Sequence, residues 1–418
     1  MADAGEATII YGQAVLDGTG RPAIRPGAVR VEGSKIKAVG EAAELAPAPG
    51  EAVREWDFRP HTIIPGLIDV HTHLSLAGDG RSYEAMALDS DEVMVLAGVM
   101  NLQRHLRAGV TTVRDNGARN RVAFLLREGV NRGYVVGPRL LVSGRPITCT
   151  GGHFHWCNEV ADGEEEIRRA VRRLVHEGAD HIKIMASGGG TRGTIPGRAS
   201  YSEAELHAAV HEAHAFGRLT VAHCRAKESM VRAVHAGLDL MEHAEFLEPD
   251  GVIRYDPKIA EMMQESGIYV SPTLQASGYP TVLQLRRKHE ESGLTESEAE
   301  LLAHAEARLE TRLDVFRRML DAGLRERMVV GSDSGCGNLT FGHLFYDVEL
   351  FVKGGMTPEE TLLASTRVAA EAIGQESAIG TIAPGKEADL VVVDGDPTRD
   401  VAALDRVVAV VKGGQRVA

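Results

Sequence analysis

The chain lacks the features that would place it among disulfide-stabilised, secreted or membrane-spanning proteins. It has only four cysteines in 418 residues, with no CxxC pair, so no disulfide framework is indicated. No apolar run approaches the roughly 20 residues that a membrane-spanning helix needs. The N-terminus, MADAGEATII, lacks the basic region and apolar segment of a secretion signal. We therefore expect a cytoplasmic protein with free thiols.

Basic charge is also scarce. The formal net charge is −13, which argues against binding to nucleic acids or to anionic membranes, since both need a basic surface. Hydrophobic residues make up 44% of the chain and charged residues 25%, which is typical of a globular protein with a large core. Small molecules are the partners that this composition favours.

Both ends of the chain have the pattern of short β-strands. The segment GAVRVEGSKIKAVG alternates apolar and polar residues around a turn at Gly33 and Ser34, which predicts a hairpin. Near the other end, ADLVVVDGDP and RVVAVVKGGQRV are equally rich in β-branched residues. We predict that residues 1–62 and 380–418 together build one small β-sandwich domain.

Residues 63–379 alternate between apolar strands and amphipathic helices. A helix over 90–107, for example, places Leu96, Val99, Leu102 and Leu106 on one face and ends before Gly109. The candidate strands, eight in number, are LIDVHTH, VTTVRD, RLLVSG, HIKIMAS, LTVAHC, LMEHA, IYVSPT and MVVGSDS. The sequence therefore predicts an α/β fold, a (β/α)8 TIM-like barrel whose chemistry lies at the carboxyl ends of the strands.

Polar side chains occur at those strand ends. They are His71 and His73 on the first strand, Lys183 on the fourth, His223 on the fifth, His243 on the sixth and Asp333 on the eighth. His71 and His73 share one face, because alternate residues of a strand point the same way. Imidazoles and a carboxylate at one barrel mouth suit a divalent ion such as zinc. An ammonium there would be repelled, so Lys183 must lose its proton, move away or be chemically modified.

These motifs carry a resemblance to a known family. The segments PGLIDVHTH, KIMASGG, AHC, EHAEF and VVGSDSG resemble, in that order, those of the metal-dependent amidohydrolase superfamily. The lysine on the fourth strand resembles the binuclear subgroup, in which carbon dioxide converts it to a bridging carbamate. The TCTGGHFHW segment resembles the Xaa-Pro dipeptidase, zinc carboxypeptidase and ochratoxinase-like branch. A mononuclear, deaminase-like site is the alternative within the superfamily.

The resemblance implies a site with two divalent metal ions, zinc first, with cobalt or manganese as alternatives. His71, His73 and Asp333 would hold the more buried ion, His223 and His243 the more exposed one, and carbamylated Lys183 would bridge them. Two such ions produce hydroxide near neutral pH and polarise a carbonyl. Asp333 would then transfer a proton to the leaving nitrogen.

Substrate contacts are expected from loops around the mouth. His153 would contact the carbonyl oxygen, or His155 would do so instead. Arg192 and Arg198, on the Gly-rich loop 187–198, are candidates for a substrate carboxylate. Arg225 is a third candidate, because it stands where the dipeptidase branch commonly has a tyrosine.

The function that these observations favour is metal-dependent hydrolysis of amide C–N bonds in dipeptides, N-acyl amino acids or related carboxylate-bearing amides. Hydrolysis of cyclic amides or imidazolones, of carbamates or lactones, or deamination, is the alternative. A catalytically inactive scaffold is a further one. The charged helical stretch 286–320 is expected to act as a lid or an oligomer contact, in a protein expected to form a homo-oligomer.

Overall fold

The computed structural model describes residues 7–418. Residues 1–6, the start of the predicted β-domain, lie outside the described residues. Within the described part of the chain, no helix combines the length and the apolar character that crossing a membrane requires.

The strands and helices follow one another in the order expected of a barrel with a split β-domain. The strands are β1 Ala7–Gly12, β2 Ala14–Val15, β3 Gly27–Glu32, β4 Lys35–Glu41, β5 Val53–Asp57, β6 Thr62–Pro65, β7 Leu67–Thr72, β8 Val110–Asp115, β9 Arg139–Val142, β10 His181–Met185, β11 Leu219–Ala226, β12 Leu240–Leu247, β13 Tyr269–Ser271, β14 Leu390–Val393, β15 Val407–Lys412 and β16 Gln415–Arg416. The helices are α1 Tyr83–Met86, α2 Asp91–Arg107, α3 Val122–Asn131, α4 Glu164–Glu177, α5 Glu203–Ala215, α6 Lys227–His235, α7 Pro257–Ser266, α8 Tyr279–Ser292, α9 Glu296–Met319, α10 Leu344–Lys353, α11 Pro358–Ala364 and α12 Arg367–Ala372.

Two sheets are built from the chain ends. One has the strand order β4-β3-β1-β5, and the other has the order β16-β15-β14-β6-β2. The second sheet joins both ends of the chain, because β14 pairs antiparallel with β6. Apolar side chains from the two sheets share one core, including Ile10, Val29, Ile63, Leu390 and Val411. The predicted hairpin is formed by β3 and β4, with Gly33 in the left-handed region of backbone space.

The middle of the chain forms the barrel, and the predicted α/β barrel fold is confirmed. Strands β7-β8-β9 and β10-β11-β12-β13 are two runs of parallel strands. A parallel bridge between Ile147 and Ile184 joins the two runs. Residues 328–334, the predicted eighth strand, close the ring through bridges to Val270 and Thr72. Single backbone hydrogen bonds also join this segment to β7, between Val70 and Val330 and between Asp333 and His71, and the backbone leaves the extended region at Asp333, where φ is 56°.

The predicted start of α5 is confirmed, whereas the predicted buried face of α2 needs one correction. Ser202 and Glu205 form the predicted capping box at the start of α5. In α2, Leu102 and Leu106 are buried, but Leu96 is 70% exposed. Met94 is buried in its place, since the inward face of α2 passes through residue 94 rather than residue 96.

Candidate metal centre and adjoining cavity

The carboxyl end of the barrel brings three donor atoms to one point. The Nε2 atoms of His71 and His73 are 3.3 Å apart, and the Oδ1 atom of Asp333 lies 3.3 Å from the first and 3.5 Å from the second. Ligand atoms bound at about 2.0–2.1 Å to a tetrahedral ion lie about 3.3–3.4 Å from one another. The three donors thus match one face of a coordination tetrahedron, so the residues fit a divalent ion.

His243 lies beside this triangle. Its ring centroid is 5.2 Å from that of His71, and together with Asp333 these residues form a second group able to hold an ion. The Nδ1 atom of His243 is 2.7 Å from the Thr273 hydroxyl, which leaves Nε2 for the cavity. The ring of His223 is 4.4 Å from that of His243, but its Nε2 lies 3.1 Å from the Gly188 carbonyl.

Lys183 lies close enough to the donors to lower the pKa of His71 and His243. Its ammonium is in direct contact with the carboxylate of Glu242, and both side chains are fully buried. Glu242 also lies 3.3 Å from Nδ1 of His71 and accepts a hydrogen bond from Asn116. Glu242 was not predicted, although it directly precedes His243. Strand alternation would place these two neighbours on opposite faces, yet both approach His71.

The backbone explains why alternation fails here. His243 and Ala244 have φ values of 68° and 45°, in the left-handed region that non-glycine residues rarely adopt. The buried side chain of Arg312 on α9 holds this segment by donating hydrogen bonds to the carbonyls of His243, at 2.6 Å, and Pro272, at 2.7 Å. Such strain persists only where surrounding contacts enforce it, and it is common at functional sites.

A buried carboxylate fixes the two segments that carry the donor triangle. Asp69 accepts hydrogen bonds from the backbone N–H groups of His71 and Ser332, at 3.1 and 3.0 Å. The ring of His105 contacts the other oxygen of Asp69 at 3.0 Å. This network ties β7 to the closing segment and so sets the position of Asp333 relative to the two histidines.

Burial controls the charge of the donors. It lowers the pKa of His71, His223 and His243 well below the usual range of imidazole, and the nearby Lys183 lowers the pKa of each further. Neutral imidazoles keep a lone pair for a metal ion. Burial also lowers the pKa of Lys183. The side chains of the site therefore favour their neutral forms, which leaves the site able to bind a cation.

A cavity of about 170 Å³ opens above the donors, and His153 lines it. The Nδ1 atom of His153 lies 2.8 Å from the Thr191 hydroxyl, which itself accepts a hydrogen bond from the backbone N–H of Phe154. The backbone N–H of Thr191 also donates to Nδ1, at 3.4 Å, so Nδ1 is an acceptor and the ring proton belongs on Nε2. The ring packs 4.7 Å from that of His223. A Cβ at Gly189 would come within 2.5 Å of this ring, so only glycine fits there.

Three of the predicted substrate contacts lie elsewhere. His155, Arg192 and Arg198 are exposed, and none of them lines the cavity above the donors. His155 contacts the carbonyl of Gly152 from a 3-10 turn, and Arg198 borders a separate cavity. The loop 187–198 turns Arg192 and Arg198 to solvent, because its backbone, through Gly189 and Gly190, is the part that packs against the site.

Arg225 does line the cavity, together with residues that the sequence reading missed. Its Nε atom is 2.7 Å from the carboxylate of Glu245, which is almost fully buried. Arg308 of α9 approaches the other oxygen of Glu245 at 3.7 Å. Tyr83 and Cys336 complete the opposite wall. Arg308 lies in the stretch 286–320 that was expected to form a lid or an oligomer contact, but the sequence did not show which of its residues reach this mouth.

The match to a protein family covers the barrel and most of the second sheet. The model of the amidohydrolase family matches residues 62–417. The chain belongs to the amidohydrolase family. This amidohydrolase is 29% identical to the ochratoxinase of Aspergillus niger, over 99% of this chain and 87% of that enzyme. It is 25% identical to the imidazolonepropionase of Porphyromonas gingivalis, over 94% of this chain and 89% of that enzyme.

Among solved structures, an Xaa-Pro dipeptidase with methionine bound in its active site superposes with a TM-score of 0.83. The two chains are 26% identical, and the match covers 99% of this chain and 100% of the dipeptidase. The predicted membership of the ochratoxinase- and prolidase-like branch is confirmed. This amidohydrolase is a hydrolase acting on C–N bonds.

Proposed function

We propose that this amidohydrolase uses two divalent ions, zinc first, with cobalt or manganese as alternatives, to hydrolyse amides whose leaving group carries a carboxylate. The observation that carries the proposal is the donor triangle of His71, His73 and Asp333, with its spacing of 3.3 to 3.5 Å. His223 and His243 would hold the second ion. Such ions, when bound, activate water at neutral pH and polarise the scissile carbonyl.

Lys183 would contribute to this centre as a carbamate. An unmodified ammonium would repel both ions, whereas the carbamate formed with carbon dioxide is an anion that can serve as a ligand. Its burial in the barrel would protect the modified group from water.

Side chains of this protein would transfer the protons and donate the hydrogen bonds that hydrolysis needs. Asp333 directs Oδ1 at His71 and His73, which leaves its second oxygen to accept a proton from the attacking water and deliver it to the leaving nitrogen. His153, with its ring proton on Nε2, would donate a hydrogen bond to the carbonyl oxygen as negative charge develops there. Burial lowers the pKa of His153 and so keeps it neutral in this role.

The substrate class is supported by the relatives and by the charge of the cavity. The solved Xaa-Pro dipeptidase holds an amino acid, methionine, in its active site. The ochratoxinase of Aspergillus niger makes ochratoxin a second compound for testing. Arg225 and Arg308 supply positive charge beside the donors, which suits a substrate carboxylate.

A mononuclear hydrolase of cyclic amides is the second candidate. The contact between Lys183 and Glu242 favours it, because a lysine neutralised by a carboxylate needs no carbamate. The similarity to an imidazolonepropionase points the same way.

One experiment separates the two candidates. Metal-free protein is titrated with zinc in the presence of bicarbonate and assayed with Xaa-Pro dipeptides, N-acetyl-L-phenylalanine, ochratoxin, imidazolone propionate and a neutral lactone. The first proposal predicts two ions per chain at full activity and turnover of the carboxylate-bearing amides. One ion per chain with turnover of the imidazolone alone would overturn it in favour of the second.

A further inference from the structure

We propose that two copies of this chain associate through α2, whose solvent-facing side carries an apolar stripe of Val93, Leu96 and Met100, with the two helices antiparallel about a two-fold axis. The inference goes beyond the proposed function, because none of these residues lines the cavity above the donors. The sequence instead predicts a lid or an oligomer contact in residues 286–320.

Exposed apolar side chains are concentrated around α2. Of the 13 large apolar side chains that are exposed in the described part of the chain, seven lie between residues 88 and 136. On α2 they are Val93, Leu96 and Met100, which are 48%, 70% and 39% exposed. Residues 286–320, all of which the structure describes, contribute Leu301 alone. A grouped apolar surface marks an interaction site, whereas single exposed residues need no explanation.

Helix α2 has two apolar faces, although a helix on a protein surface normally has one. Its inward face buries Met94, Leu102 and Leu106. With about 3.6 residues per turn, the exposed positions of α2 span an arc of about 120° on the other side. These positions are 92, 93, 96, 100, 103, 104 and 107. The stripe is therefore one surface rather than three scattered side chains.

The inward face of α2 is fixed, so the helix cannot turn to bury the stripe. The side-chain amide of Asn101 donates hydrogen bonds to the carbonyls of Leu74 and Leu76, at 2.9 and 2.8 Å. The ring of His105 contacts Asp69 at 3.0 Å. Covering the stripe therefore requires a second molecule.

The charges beside the stripe indicate that the second molecule is another copy of this chain. Glu92 lies in the first turn of α2, and Arg104 and Arg107 lie in the last turn. None of these three forms an ion pair with a residue that the structure describes, whereas Asp91 pairs with Arg119. A surface with opposite charges at its two ends complements itself when a two-fold axis reverses it.

The register follows from the spacing of these residues. Position 98 is the midpoint both of residues 96 and 100 and of residues 92 and 104. A two-fold axis at this position places Leu96 opposite the partner's Met100 and Glu92 opposite the partner's Arg104. Each pair occurs twice, because the same surface is used on both chains. The contact then has an apolar centre and a charged rim, as is usual for protein interfaces.

Apolar side chains on segments that adjoin α2 enlarge the surface. A standard interface buries roughly 800 Å² on each partner, which is more than one helix face supplies. Leu88, which is 87% exposed, lies two residues before Ser90, the N-cap of α2. Leu125, which is 48% exposed, lies on α3, and α3 packs closely against α2 where Leu126 meets Gly98. These side chains add to the area that a second copy covers.

Sedimentation velocity with a matched pair of variants tests the interface. Leu96→Asp places a charge without a partner at the centre of the contact, and Leu301→Asp is the control, since Leu301 is 51% exposed on α9. The wild-type chain of 44.9 kDa should sediment as a dimer. We expect Leu96→Asp to raise Kd of the dimer at least about a hundredfold, and Leu301→Asp to raise it less than about threefold.

Two results would overturn the interface. One is a wild-type chain that stays monomeric at about 50 µM, which would leave the stripe to a different kind of partner. The other is an equal change in Kd for Leu96→Asp and Leu301→Asp. The thermal midpoint of each variant is measured on the same sample, so that a loss of folding is distinguished from a loss of association.

Mixing two charge-reversal variants tests the antiparallel register. Glu92→Arg and Arg104→Glu each place like charges opposite one another at both ends of the homodimer, so each alone should raise Kd at least about tenfold. Mixed in equal amounts, the two variants should associate with Kd within about threefold of wild type, because opposite charges again face each other at both ends. Recovery on mixing cannot come from refolding, since neither chain is altered by the other. Failure to recover would overturn the two-fold arrangement.

Discussion

The side chains of Lys183 and Glu242 are in direct contact at the floor of the donor cluster, and neither is accessible to solvent. The contact neutralises a lysine that would otherwise repel a metal ion. It also gives Lys183 two separable roles, one in stability as an ion pair and one in metal binding as a carbamate. These roles respond differently to substitution.

Replacing Lys183 alone should remove both roles. Lys183→Met leaves Glu242 buried without its partner, and breaking a buried ion pair costs about 3–5 kcal/mol. We expect a lower Tm for the metal-free protein and a fall from two bound ions to one. The double variant Lys183→Met with Glu242→Gln should recover most of the Tm but not the second ion. Recovery of both ions in the double variant would show that Lys183 is only a structural residue.

Asp333 should separate metal binding from proton transfer. Asp333→Asn keeps an oxygen near His71 and His73, so at least one ion should remain bound, while kcat falls by about three or more orders of magnitude because the amide cannot accept a proton. Metal analysis and kcat are measured on the same preparation. Near wild-type turnover would make Asp333 a ligand without a role in proton transfer.

Arg312 is expected to act as a positioning residue for His243. Arg312→Met removes hydrogen bonds to three backbone carbonyls, those of His243, Ala244 and Pro272, and each loss costs about 1–3 kcal/mol. We expect a lower Tm together with at least tenfold weaker binding of the second zinc ion, measured by competition with a chelator. The first ion should bind as before, since its donors do not depend on this segment. An unchanged affinity for the second ion would restrict Arg312 to a role in folding.

The pH dependence of the free energy of unfolding should report the titration of Asp115. Burial raises the pKa of this fully buried carboxyl to about 6, against about 3.9 in an unfolded chain. The folded chain therefore holds the extra proton between those values, and the stability that the neutral carboxyl contributes at low pH is lost as pH rises through about 6. Asp115→Asn should abolish this loss.

We expect the metal-free Asp115→Asn variant to gain in Tm relative to metal-free wild type between pH 4.5 and pH 7, by the equivalent of up to about 3 kcal/mol. The comparison uses metal-free protein because bound ions would add their own pH dependence. A Tm difference that does not change with pH would show that Asp115 titrates near its usual value.

The sequence predicts the parts of the site that follow from regular strand geometry. His71 and His73 share a face because β7 is extended, and their Nε2 atoms meet as alternation requires. Glu242 could not be predicted in this way, since His243 departs from extended backbone and brings two neighbouring residues toward His71. The eighth segment binds its neighbours by isolated bridges rather than a ladder, and its backbone also leaves the extended region, at Asp333.

The sequence also did not show which residues from distant parts of the chain meet at the site. Arg192 and Arg198 were reasonable candidates on a loop next to β10, yet the loop backbone occupies the space beside the site. Arg308 reaches the cavity because α9 packs over the barrel mouth, where Arg312 is bound to the carbonyls of His243 and Pro272. A periodic pattern of charges on a helix does not show which of its faces meets the barrel.

Zinc titration of metal-free protein with bicarbonate enriched in ¹³C tests the central claim most directly, because it follows activity, bound metal and Lys183 in one sample. The account predicts that hydrolysis of N-acetyl-L-phenylalanine rises to a plateau at two ions per chain. A ¹³C carbamate resonance that is absent from Lys183→Met should rise in parallel. Full activity at one ion per chain, without a carbamate resonance, would contradict the binuclear account.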